Sequence, residues 1–166
     1  MFEGMIKKLK VNPQKLVFTE GSDPRILEAA SRLKQEKILE PILLGNPQEV
    51  QAAARMHGFG INGIEIIDPG TYPGLEAMVS MMVELRKGKM DADSCRASLV
   101  KANYFGTMLV KSGYADGLLG GATYSTADTV RPALQIIKTA PGSSIVSSCF
   151  ILHRRTGDMD ETYAMG

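Results

Sequence analysis

Short apolar runs alternate with longer segments of helical periodicity along most of this 166-residue chain. Continuously apolar runs of about four to eight residues are typical of strands covered on both faces, whereas the longer segments place their apolar residues along one helical face. Strands that alternate with helices pair in parallel, because each helix carries the chain back across the sheet. The pattern therefore predicts an α/β fold with three α/β/α layers and a mostly parallel sheet.

The apolar runs that we predict as strands cover residues 15–20, 40–46, 64–68, 116–121 and 143–152. Helices are predicted over 24–37 and 47–58, where Pro24 and Pro47 occupy the first helical position. Three further helices are predicted within 73–113, and the methionines of that region indicate core filling rather than a ligand surface.

The composition excludes several classes of function. Hydrophobic residues make up 44% of the chain and charged residues 22%, as in a soluble globular domain. A net charge of +1 provides no general attraction to nucleic acid or to an anionic membrane. No apolar run approaches the roughly 18 residues of a membrane-spanning helix, and we expect a cytoplasmic protein. Cys95 and Cys149 belong to no metal-binding motif, so two buried, reduced thiols and no metal site are expected.

Ligands of open α/β sheets bind beyond the carboxyl ends of the strands, where turns lead into helices. The chain contains three such junctions, at residues 18–25, 43–49 and 118–132. The third junction is the richest in groups that bind anions, and the first combines a glycine with acidic residues and an arginine. All three junctions are candidate sites.

Glycines, hydroxyls and an arginine are concentrated in the third junction. Gly120 and Gly121 allow the backbone to approach a ligand closely. Ser125 and Asp128 have the spacing of a capping box, and the helix that follows would direct free N–H groups at an anion. Arg131 would reach back over the same site as a phosphate ligand. The alternative is an ordinary tight turn with a capped helix and a solvated arginine.

Three further residues have two interpretations each. Pro132 lies inside the predicted helix, which indicates a kink or a short 3₁₀ turn. Arg25, beside Glu20 and Asp23, would add a cation to the candidate site, or it is an exposed arginine after a helix cap. Arg86 stands near a helix end, where a cation also stabilises the helix without binding a ligand.

The segment STADTVRPALQIIKT (125–139) resembles the signature region of the phosphate acetyltransferase family, which also includes phosphate butyryltransferases. Four other segments match the N-terminal half of that family in order and spacing. They are FTEGSDPRILEAA (18–30), PILLGNPQEV (41–50), IIDPGTY (66–72) and ELRKGK (84–89). The resemblance extends over essentially the whole chain.

The resemblance implies transfer of an acetyl group between CoA and inorganic phosphate, directly and without an acyl-enzyme. CoA is then a substrate, and neither a tightly bound cofactor nor a metal is expected. Family arginines associated with CoA or phosphate match Arg25, Arg86 and Arg131. Ser125, Thr126 and Thr129 match the hydroxyl-rich loop that borders the family's cleft. Tyr124 replaces a histidine that is common at its position.

Members of the family are about twice as long, with two α/β domains of the isocitrate/isopropylmalate dehydrogenase-like architecture and the site between them. The resemblance implies that residues 1–150 form the first domain and that residues 151–166 begin the second. The family's Asn-Asp-Leu-Ser-Arg segment, with its catalytic arginine and aspartate base, has no match here, so no catalytic residue is assigned. We expect the chain alone to be inactive or nearly so.

The complete enzyme implied by the resemblance is a homodimer that acts on CoA, phosphate and acetyl phosphate. Two alternatives stay open. The first is a phosphate butyryltransferase, which differs in the size of its acyl pocket. The second is a domain that binds CoA or phosphate without catalysis.

Overall fold

The computed structural model describes residues 2–157 and 159–166 of the chain. Its helices are α1 (Glu3–Val11), α2 (Pro24–Gln35), α3 (Pro47–His57), α4 (Leu75–Arg86), α5 (Ala92–Leu99), α6 (Ala102–Lys111) and α7 (Thr126–Pro132), followed by a π-helical turn (Ala133–Ile137). Its strands are β1 (Gln14–Phe18), β2 (Leu39–Leu44), β3 (Glu65–Ile67), β4 (Gly117–Leu119), β5 (Phe150–Thr156) and β6 (Met159–Met165).

The first four strands form one parallel sheet in the order β3-β2-β1-β4. Successive residues of a strand point to opposite faces, so Val17 and Ile42 join one apolar core while Phe18 and Leu43 join the other. Helices α4, α5 and α6 and the π-helical turn cover the first face, and α2 and α3 cover the second. The predicted three-layer α/β fold is confirmed. The two-domain dehydrogenase-like architecture stays a prediction.

Local sequence explains where the helices begin. Asp23 caps α2 by accepting a hydrogen bond from the backbone N–H of Arg25, and Asn46 caps α3 in the same way. Pro24 and Pro47 follow these caps at positions where the missing N–H costs nothing. Both predicted helices are therefore confirmed. Each begins directly after the carboxyl end of a strand, which brings its cap to the same edge of the sheet.

The region 73–113 contains the three predicted helices. Met78, Met82 and Met108 are buried in the core on the α4–α6 side, as the prediction of core-filling methionines requires. Gly106 lies within α6, where a β-carbon would stand 2.7 Å from the side chain of Leu118 in β4. A glycine at this position lets the helix approach the sheet closely.

The strand predicted over 143–152 is wrong for most of its length. Strand β5 begins at Phe150 and continues to Thr156, beyond the end of the predicted strand. It pairs antiparallel with β6 in a separate two-stranded sheet and does not join the parallel sheet. The division of the chain at residue 150 stays a prediction.

The physical reason is that the described core is complete without these residues. Among the described residues, the core cluster on the α4–α6 side ends in sequence at Ile136, and the buried residues of the other cluster end at Ile64. On one face of the hairpin, Phe150 lies opposite Met165 and Leu152 opposite Tyr163, and all four side chains are about half exposed or more. Apolar character alone predicted a buried strand, but residues 143–152 belong to neither core cluster.

Only one of the two cysteines is buried as predicted. Cys95 lies in the core on the α4–α6 side, and burial raises the pKa of its thiol. Cys149 is exposed and precedes β5, so the prediction of a buried thiol is wrong there. Among the residues that the structure describes, no helix is long and apolar enough to cross a membrane.

Candidate functional site

The loops that follow β1, β2, β3 and β4 surround two adjoining hollows at the carboxyl edge of the parallel sheet. The hollows have volumes of about 490 and 370 Å³ and share Gly45, Ala102 and Tyr124 in their walls. A further hollow of about 510 Å³ lies beside α3 and is lined by Arg55 and Phe59 among others. None of the predicted site residues themselves line any of these three hollows. Thr123 and Tyr124, from the turn that carries most of the predicted residues, line hollows at the carboxyl edge, so that edge is the candidate site.

The turn of the third junction closes around the carboxylate of Glu20. Its Oε1 accepts hydrogen bonds from the backbone N–H groups of Thr123 at 2.7 Å and Tyr124 at 3.3 Å, and its Oε2 from that of Gly121 at 3.2 Å. The hydroxyls of Thr19 and Thr123 donate at 3.0 and 3.2 Å. Burial opposes ionisation of Glu20, but these hydrogen bonds outweigh it and hold the pKa of the carboxyl below its ordinary value.

Both predicted glycines help the turn to bind the carboxylate of Glu20 in this structure. A β-carbon at Gly120 would stand 2.6 Å from Oγ1 of Thr19, the hydroxyl that donates to Glu20. Gly121 has a φ of +106°, a conformation that L side chains rarely adopt, and its N–H faces the same carboxylate. Their predicted role toward a substrate stays a prediction.

The predicted capping box is present at the start of α7. Oγ of Ser125 accepts a hydrogen bond from the backbone N–H of Asp128 at 3.2 Å and donates one to its carboxylate at 2.7 Å. The hydroxyl of Thr129 donates to the carbonyl of Ser125 at 3.1 Å. Thr126, the first residue of α7, is exposed beside them. The three predicted hydroxyl residues thus lie together at one helix start.

Arg25 connects the first junction to the third. Its Nε and Nη2 donate to the carboxylate of Asp23 at 2.9 and 2.7 Å, and Nη2 also donates to the carbonyl of Ala122 at 2.9 Å. Hydrogen bonding from Arg25 lowers the pKa of the Asp23 carboxyl to about 2. Arg25 therefore lies beside the glycine-rich turn, and its role toward a ligand stays a prediction.

Arg131 is the most loosely held of the three predicted arginines. Its side chain is 57% exposed, and Nη1 lies 3.7 Å from Oδ1 of Asp128, one helical turn earlier. Pro132 ends α7, and a π-helical turn follows where we predicted a kink or a 3₁₀ turn. Proline has no N–H to donate, and here the turn after it is wider rather than tighter.

Arg86 contacts the π-helical turn and not the glycine-rich loop. Its Nη1 donates to the carbonyl of Gln135 at 3.0 Å, while its Nε is buried without a hydrogen-bond partner in the described part of the chain. Nζ of Lys138 donates in the opposite direction, to the carbonyl of Leu85 at 3.1 Å. These two bonds tie the end of α4 to the segment that carries Arg131.

Two residues that make side-chain contacts at this edge were not among the predicted site residues. Glu20 was noted beside Arg25, but nothing local in sequence shows that its carboxylate enters the turn after β4. Asn103 donates to the carbonyl of Asp128 at 2.7 Å and so fixes α7 against α6. The one signal for Glu20 is its position: it ends one predicted strand, the glycine-rich turn follows another, and parallel strands bring their carboxyl ends to the same edge of a sheet. Within 2–157 and 159–166 no cluster of acidic, histidine or cysteine side chains is placed to hold a metal ion.

Comparisons with known proteins identify the family of this chain. The family model described as "Phosphate acetyl/butaryl transferase" matches residues 1–166. A phosphate acetyltransferase from Bacillus subtilis is 50% identical over 154 residues, which are 93% of this chain and 48% of that protein. One from Staphylococcus epidermidis is 45% identical over 96% of this chain and 47% of its own length.

Solved structures give the same result. A phosphotransacetylase from Streptococcus pyogenes superposes with a TM-score of 0.90 at 45% identity, over 97% of this chain and 49% of that one. EutD phosphotransacetylase from Staphylococcus aureus superposes with a TM-score of 0.85 at 44% identity, over 94% of this chain and 47% of its own. The chain spans about half the length of the relatives that it matches. The match of the family model over all of its residues, together with these superpositions, shows that the chain belongs to the phosphate acetyl/butyryl transferase family.

Proposed function

We propose that this chain is the N-terminal portion of an enzyme that moves an acetyl group between CoA and inorganic phosphate. The observation that carries the proposal is the family match over residues 1–166, together with 45–50% identity to proteins named phosphate acetyltransferase. The position of the first and third junctions at the carboxyl edge of a parallel sheet supports it, because ligands of such sheets bind there.

The reaction places specific demands on the site. The CoA thiol gives up its proton, the sulfur attacks the acetyl carbon of acetyl phosphate, and a tetrahedral intermediate forms. That intermediate expels phosphate and leaves acetyl-CoA, so one C–S bond forms and one C–O bond breaks. Positive groups are needed for the phosphate and for the carbonyl oxygen, and a base is needed for the thiol.

Arg131 supplies the positive charge in our proposal. A guanidinium matches the geometry of phosphate oxygens, and this one is exposed and held only by a long contact with Asp128. Arg25 is 67% exposed but already engaged by Asp23 and Ala122, so we propose that it holds the loop and adds charge near the ligand. Arg86 would act from beneath the π-helical turn, through the guanidinium nitrogens that Gln135 leaves free.

Hydroxyl groups complete the proposed wall of the cleft. Thr126 is exposed at the start of α7, and Ser125 and Thr129 would offer hydroxyl oxygens to the same ligand. Gly120 and Gly121 would let a substrate approach the backbone beside them. We assign no general base to this chain. We propose that the base lies in the part of the complete protein that corresponds to the unmatched half of the relatives.

The proposal has four further parts. CoA acts as a substrate and no cofactor is tightly bound. Acetyl phosphate is the second substrate in the reverse direction. The complete enzyme is a homodimer, which light scattering of the complete protein tests. It works in the cytoplasm, and the free thiols of Cys95 and Cys149 are consistent with a reducing compartment.

Formation of the CoA thioester tests the proposal directly. The complete protein should convert CoA and acetyl phosphate to acetyl-CoA, and the 166-residue chain should show no enzyme-like turnover. Because the family model covers both acyl groups, butyryl phosphate is assayed in parallel, and a clear preference for it would replace the acetyl assignment. Calorimetric titration of the 166-residue chain with CoA detects the residual site. A complete protein that binds CoA but turns over neither substrate would overturn the enzyme in favour of a binding domain.

A further inference from the structure

The carboxylate of Glu20 is buried, with 8% of the residue exposed, and the proposed chemistry does not use it. It accepts hydrogen bonds from three backbone N–H groups, those of Gly121, Thr123 and Tyr124. We call this carboxylate with its three N–H donors the Glu20 nest. Concave sets of backbone N–H groups of this kind bind anions in many proteins. Here the anion is part of the chain.

We infer that Glu20 is a positioning residue of the candidate site: its carboxylate occupies the place of a ligand anion in the turn 121–124 and thereby orients the start of α7. Any effect of Glu20 on turnover rests on the proposed function. The inference that the turn binds a carboxylate is independent of the proposed function.

Sheet register explains how the two segments meet. Strands β1 and β4 are parallel neighbours, with Phe18 paired to Leu119. Two residues beyond that pair, Glu20 follows β1 and Gly121 follows β4. The two residues therefore stand side by side at the same edge. The side chain of Glu20 spans the remaining gap to the N–H groups of the turn.

The backbone N–H groups of the turn and one of its carbonyl groups are bound by side chains of opposite charge. The Glu20 carboxylate binds N–H groups, while the guanidinium of Arg25 binds the carbonyl of Ala122 between them. Asn103 binds the carbonyl of Asp128 at the far end, in α7. Removing Glu20 would leave three N–H groups directed at an empty place for an anion. The turn would then hold an external anion or lose its conformation.

Formate is the matched probe, because it is a carboxylate with no further carbon. In the ¹⁵N-labelled 166-residue chain, Glu20→Ala should speed amide hydrogen exchange at Gly121, Thr123 and Tyr124 by about ten-fold or more, since hydrogen bonds to a charged acceptor are lost. Titration with formate should then return the shifts and exchange rates of these three amides toward those of the unmodified chain, in a saturable way. Chloride at equal ionic strength should not.

Two variants make the test specific. Glu28→Ala removes an exposed carboxylate from α2, and formate should leave its spectrum unchanged. Glu20→Gln keeps one acceptor oxygen for Thr123 and Tyr124 but turns an NH₂ group toward Gly121, so faster exchange should be confined to Gly121. If Glu20→Ala fails to fold, Glu20→Gln still decides, because unchanged exchange at all three amides would overturn the inference.

The remaining outcomes are also decisive. Faster exchange spread over β1 and β4 without any response to formate would mean that Glu20 only stabilises the fold, and the inference fails. All of these readouts are independent of turnover. An inactive complete enzyme together with formate rescue in Glu20→Ala would overturn the proposed function and leave the nest intact.

Discussion

Thr19 and Gly120 lie so close that only a glycine leaves room at the second position. A β-carbon on Gly120 would stand 2.6 Å from Oγ1 of Thr19, closer than real β-carbons approach another heavy atom. The same hydroxyl donates to Glu20 at 3.0 Å. The glycine in the turn after β4 is therefore required by a side chain in the loop after β1, 101 residues earlier in the chain.

Substitution of Gly120 by alanine tests this relationship. We expect Gly120→Ala to lower the free energy of unfolding by about 1–3 kcal/mol, because the buried hydroxyl of Thr19 must move away from its partner. In a Thr19→Ala background the obstructing oxygen is absent, so the same substitution should cost less, and a double-mutant cycle in urea measures the difference. Gly4→Ala is the matched control. Its β-carbon meets nothing within 4 Å, and alanine in α1 should be neutral or stabilising. Additive effects of the two site substitutions would contradict the contact.

The acid in the cap of α2 should make stability depend on pH. Asp23 ionises below its ordinary value of 3.8, at about 2, when the protein is folded. The unfolded chain thus binds a proton first as pH falls, so the ionised carboxylate stabilises the fold above pH 3.8, and this contribution is lost on going down to about pH 2. Near neutral pH, Asp23→Ala should lower the free energy of unfolding by about 1–2 kcal/mol through loss of the cap.

Urea unfolding at a series of pH values checks the sign. The difference between the unmodified chain and Asp23→Asn should shrink as pH falls from about 4 toward 2. In an Arg25→Gln background, which removes the hydrogen bond that lowers the pKa most, the same difference should be smaller at pH values where the Asp23 carboxyl is ionised. A difference that does not change with pH would show that the arginine contact does not operate in solution.

Removal of the hairpin should leave the parallel-sheet unit intact. A chain that ends at Cys149 loses β5 and β6, whose described side chains are mostly exposed, and loses no member of either core. We expect its free energy of unfolding to stay within about 0.5 kcal/mol of the full chain. Ile136→Ala is the contrast, because truncating this fully buried side chain should lower the free energy of unfolding by about 2–4 kcal/mol. A large decrease in the free energy of unfolding on truncation would show that the parallel-sheet unit extends beyond residue 150.

The two thiols should differ in reactivity. Cys149 is exposed and should react with a thiol reagent as fast as a small-molecule thiol. Cys95 is fully buried, and burial raises the pKa of its thiol, so it should react at least about a hundred-fold more slowly and only through opening of the fold. Mass spectrometry of timed samples follows the modification of each thiol, and Cys149→Ser should abolish the fast reaction. Equal rates for both would contradict the burial of Cys95.

Arg131 should matter for binding and not for folding. In the complete protein, Arg131→Ala should raise KM for CoA or phosphate, or lower kcat, by about ten-fold or more, because a charge-assisted contact is lost. Its thermal unfolding should be unchanged, since the side chain is 57% exposed. Arg32→Ala, an exposed arginine of α2, should change neither property. Normal kinetics for Arg131→Ala would make this residue an ordinary surface arginine.

Much of the fold was predictable because the relevant interactions are local. Pro24 and Pro47 predicted helix starts, since a proline and its preceding cap act within one turn of a helix. Ser125 and Asp128 predicted the start of α7 for the same reason. The apolar run 143–152 misled us, because hydrophobicity indicates burial but does not show whether any core surface is available.

The sequence by itself determined the alternation of strands and helices, the caps, and the family to which the chain belongs. Each of these depends on residues within a few positions of one another, or on a long matched motif. Only the tertiary structure decided that the glycine-rich turn encloses Glu20 and that Arg86 faces Gln135. Those contacts join segments 101 and 49 residues apart. Sheet register and helix packing bring the segments together, and no local pattern specifies which donor will meet which acceptor.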